Sequence, residues 1–150
     1  MVRHTLGTFG SEKNFDMKAL IFFTLACLLV FSTFGCSPKP VTAETVISAF
    51  KNAGLEATNV RPMGKDDYGT APQVCHGTRF FIPSLGPNNG GRVFICDNTK
   101  DRDLLTGYYN RLAAMGSIYI SWVFVKGNVV VQINGQLPDE TARKYEAAIP

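Results

Sequence analysis

The sequence predicts an α+β fold, a mainly antiparallel sheet with helices packed on one face, and three observations carry that prediction. Stretches with apolar residues at helical spacing alternate with β-rich runs of five to nine residues, in the order α-β-β-β-α-β-β-α. Most of the β-rich runs are joined by glycine, proline and asparagine turns, which suit antiparallel neighbours. About 115 residues follow Cys36, enough for one core and one domain, taken here as 42–150.

The first helix opens at Thr42, an N-cap residue, with Glu44 in the turn where the helix dipole favours an acid. Val46, Ile47, Phe50 and Ala53 fall on one face, and Gly54 stands where a left-handed residue ends a helix. Glu56–Val60 reads as a short strand stopped by Arg61-Pro62. Met63–Gln73 is a long polar loop containing the pair Asp66-Asp67. Calcium needs six or more oxygens at regular spacing, so solvated charge is the better reading of that pair. Val74–Ile82 and Arg92–Cys96 read as a hairpin around Pro83–Gly91. That glycine-rich loop lacks the Gly-Lys-Ser/Thr ending and the following helix of a phosphate cradle.

Asp97–Thr99 caps a second helix, about 100–115, with Leu104, Leu105, Tyr108, Tyr109 and Leu112 as its apolar stripe. The tyrosine pair reads as core with hydroxyls reaching the rim. Ser117–Val125 and Val129–Gly135 then form a hairpin. A two-residue turn at Gly127-Asn128 sets Val125 opposite Val130 and Trp122 opposite Ile133. One face carries Ile118, Ile120, Trp122, Phe124, Val131 and Ile133 and must be core. The other mixes Tyr119, Ser121, Val123, Val125, Val130, Gln132 and Asn134, as expected of a half-exposed or loop-covered surface. Pro138, Asp139 and Glu140 open a last helix whose inward edge is Ala142, Tyr145 and Ile149.

Upstream, Lys18 precedes an uncharged apolar run of 13 residues, Ala19–Phe31, followed by Ser32–Gly35 and Cys36. As a helix that run is about 20 Å long, short of the roughly 30 Å hydrocarbon core and typical of an export signal. Its end, Thr33-Phe34-Gly35-Cys36, resembles the lipobox of bacterial lipoproteins. The resemblance implies cleavage before Cys36, diacylglycerol on its sulfur and anchorage by acyl chains, each buried CH₂ adding about 0.8 kcal/mol. It also implies a cell-membrane or outer-membrane location facing away from the cytoplasm, Ser37 lacking the aspartate that retains lipoproteins at an inner membrane. On this reading 17–35 is the signal, 36–41 a tether, and 1–16 a non-native or unstructured extension before the natural start at Met17. The alternatives are an uncleaved signal anchor and a cut after Val41-Thr42-Ala43.

Phe50–Ala57, Arg79–Ser84, Ser121–Val125 and Asn128–Gly135 are similar to small bacterial lipoproteins of uncharacterised role, some labelled stress proteins. That family implies no active-site residue and no cofactor.

From Cys36 onward the chain holds 12 Lys and Arg against 10 Asp and Glu, well interspersed. No basic stripe with interleaved aromatics supports nucleic-acid binding. Cys27 lies in the signal and Cys36 is the lipid candidate. Cys75 and Cys96 are therefore the candidates for a disulfide in an oxidising compartment, or else two small buried apolar residues. His76 adjoins Cys75, but consecutive strand residues point to opposite faces, so only Cys96 could pair with it as a nucleophile. Cys75, His76, Cys96 and Asp97 have no familiar zinc spacing. Neither a catalytic nor a metal site is assigned.

Three functions fit: a membrane-anchored, non-catalytic binding or structural module meeting an envelope protein or ligand; a small exported enzyme or thiol-redox protein using Cys75, His76 and Cys96; and a signal-anchored subunit of a membrane complex.

Overall fold

In the computed structural model, residues 40–116 and 120–150 are described. The expectations for the extension, the signal, Cys36 and most of the tether lie outside those residues, as do those for Ser117, Ile118 and Tyr119.

Helix α1 spans Ala43–Asn52, with the Thr42 hydroxyl accepting from the Thr45 N–H and the Thr45 hydroxyl accepting from the Thr42 N–H. Past it Gly54 takes φ +74°, a conformation that favours glycine. Strand β1 (Thr58–Pro62) is followed by a one-turn helix α2 (Lys65–Tyr68) inside the loop expected to be irregular. Strands β2 (His76–Phe81) and β3 (Gly90–Ile95) flank a single 3-10 turn at Pro83–Leu85. Helix α3 (Thr99–Ala114), capped by the Asn98 side chain, leads to β4 (Ser121–Lys126), β5 (Val129–Asn134) and helix α4 (Asp139–Ala148).

The five strands form one antiparallel sheet ordered β1-β2-β3-β5-β4. The class is therefore α+β, as expected. Within the last hairpin Val125 faces Val130 and Trp122 faces Ile133. Gly127, at φ +59°, occupies the first turn position, where a two-residue hairpin of this hand calls for glycine.

The helices do not share one face, which corrects the expected layering. Val46, Ile47 and Phe50 of α1 and Ala142 and Tyr145 of α4 pack with Phe80, Val93, Phe124, Val131 and Ile133. Leu105 and Tyr109 of α3 pack on the other side with Phe94 and Val130. The connectivity explains this. Because β5 is inserted between β3 and β4, those two strands run parallel, and the chain joining them must cross a sheet face. Helix α3 is that crossover, while α1 and α4 cover the opposite face. Consequently β5 is buried on both sides, which accounts for the unbroken apolar run Val129-Val130-Val131.

Three residues depart from the expected apolar faces, one of them Ala53, which caps α1 and is exposed. Ile120, just before β4, is 50% exposed, and Leu104 on α3 is 46% exposed. Strand β1 is an exposed edge, guarded against further pairing by Pro62 and by a register shift between Thr58 and Arg61.

Candidate binding site

Cys75 and Cys96 are joined by a disulfide. They extend the β2–β3 ladder by one position beyond His76 and Ile95, so the antiparallel register brings them together. Both are buried, Cys96 to 1% exposure. Neither sulfur is thus available as a thiolate nucleophile or as a zinc ligand in this state. His76 lies apart from them at the surface, its Nε2 3.8 Å from Asp97 Oδ2. The sequence candidates therefore come together as a structural cross-link, and His76 adds no chemistry to it.

The chemistry that sequence reasoning missed lies on the α3 face. Cross-strand pairing sets Arg61 (β1) opposite Arg79 (β2), Arg79 opposite Arg92 (β3), Arg92 opposite Gln132 (β5) and Gln132 opposite Val123 (β4). Three arginines thus stand side by side on one face. Like charges directly opposite one another destabilise a sheet. One carboxylate partly offsets them. Asp67, on α2, accepts two hydrogen bonds from Arg61 at 2.6 and 2.7 Å, one from Arg79 at 3.2 Å and one from the Gly64 N–H at 2.8 Å. Its side chain is 12% exposed, so the expected solvated charge is instead a near-buried counter-ion.

The Arg61 hydrogen bonds hold the Asp67 carboxyl well below the usual carboxylate range. The Gly64 N–H and the charges of Arg61 and Arg79 act the same way, against the opposing effect of burial. A carboxyl depressed in the folded state contributes stability that is fully present above the unfolded value near pH 4 and lost as pH falls toward the folded value. Urea midpoints measured down a pH series should therefore decline below about pH 4. Asp67→Asn should start less stable and show a shallower acid decline.

Arg92 is balanced differently. It makes no ion pair with any described carboxylate. Its Nη1 donates to Gln132 Oε1 at 2.6 Å, and Gln132 Nε2 donates on to Ser121 Oγ at 2.9 Å. Its Nε is buried without a hydrogen-bond partner. Gln132 itself is 5% exposed, a buried amide between Val131 and Ile133 that holds this network.

Above these strands lies a cavity of about 660 Å³. Arg79, Arg92, Ser121, Gln132 and Asn134 supply the sheet side, Tyr108, Tyr109 and Leu112 of α3 one wall, and Tyr68 and Thr70 of the β1–β2 loop another. The walls are tied in place. Tyr68 Oη accepts from the Gly77 N–H and donates to the Cys75 carbonyl, and Thr70 and Tyr108 share a 2.7 Å hydroxyl–hydroxyl bond. Burial pushes the Tyr109 hydroxyl above its ordinary range, while the charge of Arg92 pulls it the other way.

Among the described lining residues there are two arginines and no Asp, Glu, His or Cys. Tyr68, Tyr108 and Tyr109 are the acid–base groups among them, and two of the three hydroxyls are tied up in hydrogen bonds to Gly77, Cys75 and Thr70. What they offer is positive charge, neutral donors and aromatic surface, which is the chemistry of recognition.

No protein-family model matches the chain, and no curated protein or solved structure matches it.

Proposed function

We propose that this chain is an exported bacterial lipoprotein, held to the cell membrane or outer membrane through acyl chains on Cys36, whose 42–150 domain is a non-catalytic binding module. The observation that carries the binding half is the cationic cavity, in which two arginines occur without a carboxylate, imidazole or thiol among the described lining residues. The anchoring half rests on Lys18, the apolar run Ala19–Phe31 and the lipobox-like Thr33–Cys36. The buried disulfide weighs against the thiol-redox alternative, because thiol exchange needs an accessible sulfur.

Intact mass spectrometry of the protein extracted from membranes of its native or a related host tests the reading. The expected mass begins at Cys36 and carries a diacylglyceryl group. A chain that still holds residues 19–35 overturns it in favour of a signal-anchored subunit, and a soluble, unlipidated chain overturns the anchor altogether.

A further inference from the structure

We infer that the cavity receives an oxyanion, a carboxylate or phosphate-ester group on a small organic molecule, seated against Arg79 and Arg92. This deepens the non-catalytic binding reading above and rests on it.

Arg61, Arg79 and Arg92 occupy consecutive positions across three strands, and Asp67 pairs with Arg61 and Arg79 but not with Arg92. Asp67 is committed mainly to Arg61, at 2.6 and 2.7 Å against 3.2 Å for Arg79. The row is left with a surplus of about two positive charges, concentrated toward Arg92 and the cavity. A fold gains nothing from placing like charges opposite one another. It gains still less from burying a guanidinium nitrogen with no acceptor, as at Arg92 Nε. An external oxyanion supplies the missing negative charge, and its lone pairs accept from the guanidinium edge of Arg92 that lines the cavity, the buried Nε lying beyond its reach. Guanidinium groups match planar carboxylates and phosphates better than any other side chain does.

Size and walls set the rest of the ligand. About 660 Å³ exceeds what a bare inorganic anion needs and falls in the range of small-molecule sites, roughly 300–1,000 Å³. Facing the arginines, Tyr108, Tyr109 and Leu112 offer aromatic and apolar surface for an organic body. The Ser121 hydroxyl, which accepts from Gln132, keeps its own proton to donate.

The test is isothermal titration of the membrane-extracted protein with phenylacetate, phenyl phosphate and the neutral phenylacetamide, at low and at raised salt. At least one anion should bind, more weakly at raised salt, and the amide should not. Arg92→Gln and Arg79→Gln should each weaken binding by roughly 10- to 100-fold. Preference for phenylacetate assigns a carboxylate ligand, and preference for phenyl phosphate assigns a phosphate ester. Failure of both anions to bind, equal binding of the amide, or unchanged affinity in both variants overturns the proposal. Thermal unfolding of each variant shows whether it is folded, and either folded variant alone decides the point. Recovered probes are examined by proton NMR. Hydrolysed phenyl phosphate would overturn the non-catalytic reading while leaving the anion site standing, so the two failures are distinguishable.

Discussion

Phe50→Ala is expected to cost about 3–5 kcal/mol, the usual penalty for deleting a fully buried aromatic ring. Phe50 is completely inaccessible and meets Tyr145 edge-on at 5.0 Å between ring centroids and Phe80 at 5.7 Å. It is the point at which α1, the sheet and α4 are tied together. Tyr145 is held from its other end as well, its hydroxyl donating to the Glu56 carbonyl at 2.7 Å, so it cannot easily swing in to refill the space. A domain of this size has about 5–15 kcal/mol in total, so this one truncation removes a large share of it. Urea unfolding followed by fluorescence checks it. Trp122 is the sole tryptophan, stacked on Phe124 with its Nε1 bonded to the Leu137 carbonyl, and it reports directly on this face of the sheet. A loss below about 1 kcal/mol would mean that the packing is looser than these contacts describe.

The second large effect is expected from the disulfide. Cys75 and Cys96 are 21 residues apart, and closing a loop of that length restricts the unfolded chain enough to stabilise the fold by about 3 kcal/mol. The double variant Cys75→Ser/Cys96→Ser should lose about that much in urea unfolding, as should the reduced wild-type protein. The loop it closes contains the whole of β2 and β3, including Arg79 and Arg92. Losing the bridge should therefore weaken anion binding as well as stability, which a shared titration series would show. A double variant as stable as wild type would contradict the cross-link's structural role.

How far the molecule was legible in its sequence depended on whether a local signal fixed each feature. Thr42 and Gly54 delimit α1 through capping groups within a few residues of it, and both act as the sequence indicated. The β4–β5 register was readable because a two-residue turn leaves one alignment, and alternation then assigns every side chain to a face. Cys75 and Cys96 were legible as candidates for a bridge, with two buried apolar residues as the alternative, and the β2–β3 register that brings them together decides between the two. The layering was not readable. Whether β5 adds beside β3 or beyond β4 is decided by which faces the helices bury, and that insertion is what puts α3 on its own side.

The arginine row escaped for a related reason. Arg61, Arg79 and Arg92 lie in three strands joined by a loop with its own helix and by a connection containing a 3-10 turn, and neither fixes register locally. Asp67 likewise looked like one of two solvated acids until the fold carried it onto Arg61 and Arg79. One trace was present in the sequence, in that Arg79 directly precedes the apolar Phe80–Ile82, Arg92 the apolar Val93–Cys96, and Gln132 separates Val129–Val131 from Ile133. Polar residues at strand positions that ought to face a core mark a site or a buried network.

The central claim is that Arg92 is kept for an external anion rather than for the fold, and the stability of Arg92→Gln measures this most directly. Glutamine retains a donor toward Gln132, while relieving the cross-strand repulsion with Arg79 and the cost of a partly desolvated charge. In urea unfolding without added ligand, Arg92→Gln is predicted to be at least as stable as wild type to within about 0.5 kcal/mol. A loss of more than about 2 kcal/mol would show that the guanidinium is bonded into the fold itself, and would contradict the account.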